Sequence, residues 1–176
     1  MKWMIESETG TPSGEFCLHA SSIIVEGRGL VFMGHSTCGK STIVRLLSRD
    51  FKVISDDKVK LIKINNVWWM MNGDSHNKFA DQKGIHVGTG KYPVLSFIRI
   101  FPSGVNEIWP IGDLYLCKYI MDAVFEVDRQ RHNGDIETRK KWFYLAVDLS
   151  REFPGWTFCF KKDFSIVELI KGKFYN

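Results

Sequence analysis

The chain has 176 residues, 44% of them apolar and 25% charged, with a formal net charge of +4. That length and balance predict one globular domain that buries enough surface to fold without staples. Lys and Arg are scattered apart from Arg139-Lys140-Lys141 and Lys161-Lys162, too little clustering for a nucleic-acid footprint, and no apolar run reaches membrane-spanning length. Cys17, Cys38, Cys117 and Cys159 include no C-x-x-C pair, which argues against zinc and for a reduced, cytoplasmic setting.

Taken in chain order, Glu15 to Ala20 and Ser22 to Glu26 read as two short strands, followed by a hairpin-type turn at Glu26-Gly27-Arg28-Gly29. Leu30-Val31-Phe32-Met33 is a continuous apolar run, the pattern of a strand buried on both faces. Ser41 to Arg49 places Ile43, Leu46 and Leu47 on one face of a short amphipathic helix. Lys52 to Ser55 is a second buried strand that ends at Asp56-Asp57. Lys58 to Ile64 and Val67 to Met71 form a hairpin about Asn65-Asn66. Residues 72–91 are polar and aperiodic, a length of loop that is usually functional. Val94 to Phe101 and Asn106 to Trp109 are strands, Asp113 to Val127 and Thr138 to Leu149 helices, and Trp156 to Phe160 a strand. Asp163 is placed to cap a last helix through Ile170. Arg99, alternating with apolar residues, reads either as an outward-facing, solvated side chain or as a phosphate clamp, and the alternation favours the former.

Gly34-His35-Ser36-Thr37-Cys38-Gly39-Lys40-Ser41 has the form G-x-x-x-x-G-K-S. Glycines in such a loop let backbone N–H groups turn inward on phosphate oxygens, and the helix that follows adds its N-terminal dipole. Lys40 is then the side chain that reaches the β- and γ-phosphates, Ser41 the magnesium ligand, and Thr42 a neighbouring contact. An apolar strand enters the loop and an amphipathic helix leaves it, which is the context the mechanism needs. The expected ligands are a nucleoside triphosphate, read as ATP, and Mg2+.

Asp56-Asp57 closes the strand after the loop's helix. A right-handed crossover makes that strand parallel to the one that delivers the loop, so both end on the side of the sheet where α/β folds bind ligands. One carboxylate can then serve the metal while the other accepts a proton from an attacking hydroxyl. Guanine-nucleotide switch proteins need an N-K-x-D to read the base, and Asn77-Lys78-Phe79-Ala80 lacks the final Asp, which disfavours a GTPase.

His19, the turn at Glu26 to Gly29, the strand Leu30 to Met33, the loop Gly34 to Ser41 and the strand ending at Asp56-Asp57 follow one another in an order and spacing that resembles the catalytic domain of HPr kinase/phosphorylase, a family that shares its nucleotide-binding core with phosphoenolpyruvate carboxykinases. The match is specific over residues 19–59. Asn106 to Pro110 and Pro154 to Ile170 look like the C-terminal half of shorter kinase-like relatives. The resemblance implies transfer of a phosphoryl group to a serine hydroxyl of a protein or peptide, with Asp56 as base, Asp57 at the metal and His19 setting the charge of both. HPr kinases carry a further N-terminal domain and a later glycine-rich signature loop. Neither is found here, which puts HPr as the acceptor, and the reverse phosphorolysis, in doubt. HPr kinases also assemble into rings, so homo-oligomer formation stays open.

The expectation is therefore a single α/β domain with a mixed β core and flanking helices over residues 1–176, acting as an ATP- and magnesium-dependent serine kinase. The candidate catalytic residues are Lys40, Asp56, Asp57 and His19; Gly34, His35, Ser36, Thr37, Cys38, Gly39, Lys40, Ser41 and Thr42 bind the nucleotide, and Ser41 and Asp57 the metal. Partners are ATP and the acceptor, with no nucleic acid and no membrane. A small-molecule alcohol kinase and a nucleotide-sensing module with little turnover are the alternatives.

Overall fold

The computed structural model describes residues 14–73, 86–131 and 135–175. Among them the chain forms β1 (Gly14–Val25), β2 (Arg28–Met33), α1 (Lys40–Leu47), β3 (Lys52–Ser55), β4 (Lys58–Ile64), β5 (Val67–Asn72), β6 (Tyr92–Pro102), β7 (Glu107–Ile111), α2 (Asp113–Arg131), α3 (Ile136–Glu152), β8 (Gly155–Phe160) and α4 (Ser165–Phe174). Most of the 72–91 loop, with the Asn77-Lys78-Phe79-Ala80 test, falls outside the described residues.

The two strands expected around Ser21 are one. β1 runs unbroken because Ala20, Ser21 and Ser22 are all fully buried, so neither face sees the water that would favour a break. Its length lets it serve three ladders. The first half pairs antiparallel with β4 from Gly14 to His19, and the second half pairs antiparallel with β2 on one side and β3 on the other. β6 is long for the same reason: it meets β5 at its start, runs parallel to β2 in its middle and parallel to β8 at its end. The pairings β1–β4–β5–β6–β2–β1 close a ring of strands, with β8 and β7 extending it from β6. Tight turns join the hairpins. Glu26 and Gly27 have φ of 47° and 77°, Asn65 and Asn66 51° and 63°, the paired left-handed residues whose twist suits a two-residue hairpin.

Apolar side chains leave the sheet on both faces. Phe16, Leu18, Val31, Leu61, Trp68 and Phe97 pack with α2 and α3, whereas Ile23, Leu30, Phe32, Ile98 and Phe158 pack with α1 and α4. Asp148 on α3 pins the first layer, accepting from Lys63 at 2.5 Å and from Trp68 Nε1 at 3.2 Å. α2 and α3 are joined by the buried Asp128, which takes Arg139 at 3.2 Å. Asp163 does act at the start of α4, accepting from Ser165 N at 3.1 Å, although Phe164 occupies the cap position itself. The result is a mixed sheet with flanking helices, and no helix among the described residues is long and apolar enough to cross a membrane.

Candidate functional site

β2 delivers the loop to the centre of the sheet. Met33, the last residue of β2, lies opposite Ala20 of β1 and beside Arg99 of β6. Beyond it the backbone turns through Thr37 (φ 69°) and Gly39 (φ 103°), with the Cys38 N–H donating to the His35 carbonyl at 3.1 Å. A β-branched residue in the left-handed region is strained, and such strain concentrates where a loop is shaped for a ligand. Gly34 and Gly39 are where side chains do not fit. A Cβ at Gly34 would meet Cys38 Sγ and lie 3.2 Å from the Ile100 carbonyl, and one at Gly39 would lie 2.7 Å from Phe160 Cζ. α1 then starts with no side-chain cap and no acidic residue in its first turn, so its N-terminal dipole faces the loop without a competing anion of its own.

Lys40 is 6% exposed and folds back over the loop, donating to the Gly34 carbonyl at 2.7 Å and the His35 carbonyl at 3.0 Å. Burial lowers the pKa of its ammonium, and the nearby Cys38, Glu126 and Asp57 oppose that shift. Burial also pushes the Cys38 thiol up. Ser21 of β1 donates to the Lys40 carbonyl at 3.3 Å, which ties the end of the loop to the neighbouring strand. His35, Ser36 and Thr37 are exposed; Gly34, Cys38, Gly39, Ser41 and Thr42 are half-buried.

The aspartates do not close a free strand end. β3 and β4 run in the same direction along one edge of β1, and the register that joins Ser22 to Ser55 also joins His19 to Lys58. Continued through the gap, it sets Asp56 opposite Ser21 and Asp57 opposite Ala20, and the Ala20 N–H indeed donates to the Asp57 carbonyl at 3.0 Å. The two carboxylates therefore sit on an irregular step in a single long edge, shaped by Ser55, whose Oγ donates to the Lys58 carbonyl at 2.6 Å. Ala20 is flanked by Met33 on one side and Asp57 on the other, so two strand spacings, about 9.6 Å, separate the root of the loop from Asp57. β1 is thus the strand between β2, which carries the loop, and β3, which leads to the aspartates.

Asp56 is buried at 3% exposure, while the Asp57 side chain is 47% exposed. His19 bridges two carboxylates: Nδ1 lies 3.3 Å from Asp57 Oδ1, and Nε2 3.6 Å from Glu126 Oε2. The His19 contact holds the Asp57 carboxyl below the usual aspartate range, against the opposing effect of burial.

Two residues near the loop are not marked by any motif. Glu126 is one polar position of an amphipathic helix, and only the tertiary fold brings it to His19. Arg99 corrects the sequence reading: it is 7% exposed, not solvated, and its Nη2 lies 3.0 Å from His35 Nε2. A charged residue inside the apolar run Phe97 to Phe101, on a strand buried on both faces, was the available signal. α2 connects the two features. Its Tyr119 lies under Arg99 and its Glu126 reaches His19, seven residues or about 10.5 Å of helix, close to the two strand spacings from β6 to β1.

Among the described residues no group of three or more His, Cys, Asp or Glu converges to hold a metal by itself. Magnesium needs none, since it keeps waters and takes phosphate oxygens beside one or two protein oxygens. Ser41 and Asp57 are hard oxygen donors of the right kind.

No protein-family model matches this sequence, and no curated protein does. Among solved structures, the HPr(Ser) kinase/phosphatase from Coxiella burnetii shows a distant likeness, with 16% identity over 54% of this chain and 72% of that one and a TM-score of 0.39. The functional reading rests on the loop and its neighbours.

Proposed function

We propose that the chain is an ATP- and magnesium-dependent kinase that transfers the γ-phosphoryl group to a serine hydroxyl of a protein or peptide. The observation that supports this best is the spacing just described: a buried lysine in a G-x-x-x-x-G-K-S loop, with two carboxylates held two strand spacings from the loop's root. On this reading the loop amides and the first turn of α1 take the phosphates, and Lys40 exchanges the Gly34 and His35 carbonyls for phosphate oxygens. Ser41 and Asp57 hold magnesium, which when bound neutralises charge on the β- and γ-phosphates. Asp57, kept ionised by His19, suits the metal. Asp56 then accepts the proton from the acceptor hydroxyl. The acceptor oxygen forms a bond to the γ-phosphorus, the bond to the β–γ bridging oxygen breaks, and ADP leaves.

The test follows labelled γ-phosphate from ATP and magnesium into serine peptides, HPr, free serine and other small alcohols. Transfer to a peptide or protein, lost in Lys40→Ala and Asp56→Asn, is the expected result. Transfer only to small alcohols would replace the acceptor class. ATP binding without transfer, indifferent to Asp56→Asn, would favour a nucleotide-sensing module.

A further inference from the structure

The least explained charge near the loop is Arg99. The residue is 7% exposed, and no carboxylate among the described residues lies within ion-pair distance of its guanidinium. Among the described residues its one hydrogen-bond contact is Nη2 with His35 Nε2 at 3.0 Å, a neutral partner when that nitrogen accepts. Nε is buried with no partner among them. The plane is held in place by Tyr119, whose ring centroid is 3.9 Å from the guanidinium carbon, and by Phe101 at 4.7 Å. Arg99 is thus pre-oriented, desolvated and short of an anion. Burying a cation without a counter-ion is strongly unfavourable, so a chain keeps one there when something else neutralises it.

Its position says what that is. Arg99 pairs with Met33, so it stands at the root of the phosphate loop, on the opposite side of β2 from Asp57. Its charge is felt at Cys38 inside the loop. His35 is itself a loop residue, exposed to solvent, and its Nε2 occupies the place of an acceptor oxygen in front of the guanidinium. We infer that Arg99 is a specificity-determining residue that binds the terminal phosphate of the nucleotide, with His35 as its stand-in partner when the loop holds no phosphate. A planar fork of donors suits a phosphoryl group, which offers several oxygens in the same direction. The loop would then be clamped from two sides, by the carboxylate–metal side at β1 and by a guanidinium at β6. The inference deepens the nucleotide-kinase reading and rests on it.

Equilibrium binding of ATP and of ADP, each with magnesium, is compared for wild type, Arg99→Met and Arg99→Lys, together with thermal melting of the ligand-free proteins. Removing the terminal-phosphate contact leaves ADP binding within about twofold and lowers the ATP-to-ADP affinity ratio by about tenfold or more. Arg99→Lys, which keeps the charge but loses the fork, falls between the two. Ligand-free Arg99→Met melts no lower than wild type, because a buried unpaired charge is replaced by an apolar chain of similar length. An unchanged ratio with normal ADP binding overturns the role of Arg99 alone. Equal weakening of both nucleotides with a lower melting temperature assigns Arg99 to packing and also overturns it. Wild type that binds neither nucleotide removes the kinase reading, and this inference with it.

Discussion

Lys40 Nζ donates to the carbonyl of Gly34, six residues earlier in the chain, at 2.7 Å. The side chain that a nucleotide needs is already drawn over the loop, where burial lowers its pKa. The charged form is therefore worth less here than in water, and it gains when phosphates arrive. Nucleotide binding should raise the Lys40 pKa and take up a proton at alkaline pH. ATP affinity should fall as pH rises through the free-state value, which lies below that of an ordinary lysine. Calorimetry at alkaline pH in buffers of different ionisation enthalpy reads that proton uptake directly, and Lys40→Ala abolishes it. The same linkage sets the sign for folding: without ligand, stability rises with pH between the folded-state value and the unfolded one, because the unfolded chain binds the proton more tightly.

Asp57 gives the same direction of slope at the acid end of the scale. Asp57 has a folded-state pKa below its unfolded one, so it stabilises the fold above the ordinary aspartate range and loses that contribution as pH falls through the folded value. Denaturant unfolding between about pH 5 and 2 should show the loss. His19→Gln flattens that limb, since the hydrogen bond that chiefly lowers the Asp57 pKa is gone. A limb of the same steepness in His19→Gln would assign the acid sensitivity to other carboxylates.

The two aspartates should separate in a kinetic comparison. Asp56→Asn should keep ATP and lose about 10²–10⁴-fold in transfer, the usual contribution of a positioned proton acceptor. Asp57→Asn should weaken magnesium dependence first, seen as a rise in the magnesium concentration that gives half the maximal rate. If Asp57→Asn alone abolishes transfer at saturating magnesium while Asp56→Asn is mild, the exposed carboxylate is the base and the buried one structural.

Gly39 tests the loop's shape. At φ 103°, with Phe160 Cζ 2.7 Å from where a Cβ would be, alanine meets both strain and a ring. Gly39→Ala should cost about 1–3 kcal/mol in denaturant unfolding and weaken nucleotide binding as well. A fully stable variant that still binds ATP would mean the loop tolerates another conformation.

Local signals were readable and long-range ones were not. The glycines and lysine of the loop, the β-turn asparagines Asn65 and Asn66, and the apolar run Leu30 to Met33 each act through their immediate neighbours, so spacing alone finds them. β1 was harder, because the buried Ser21 and Ser22 look like a break until two further strands cover them. Asp56-Asp57 were found as a pair, but their place on a continuous edge of β1 depends on a register shared by β3 and β4. Arg99 is hard to place from sequence because alternation on a strand predicts an outward face, whereas β6 sends Phe97 and Ile98 into packed layers on both sides of the sheet. Glu126 belongs to the site only because α2 crosses the sheet from β6 to β1.

The central claim is that the loop and the carboxylate step hold one magnesium–nucleotide complex between them. Electron paramagnetic resonance of Mn2+ in place of Mg2+ tests it most directly, titrating the metal with and without ATP in wild type, Lys40→Ala and Asp57→Asn. The account predicts tight Mn2+ binding only when ATP is present, lost in Lys40→Ala with the nucleotide and weakened in Asp57→Asn with the nucleotide still bound. Mn2+ bound equally well without ATP, or a ternary complex indifferent to both substitutions, would contradict it.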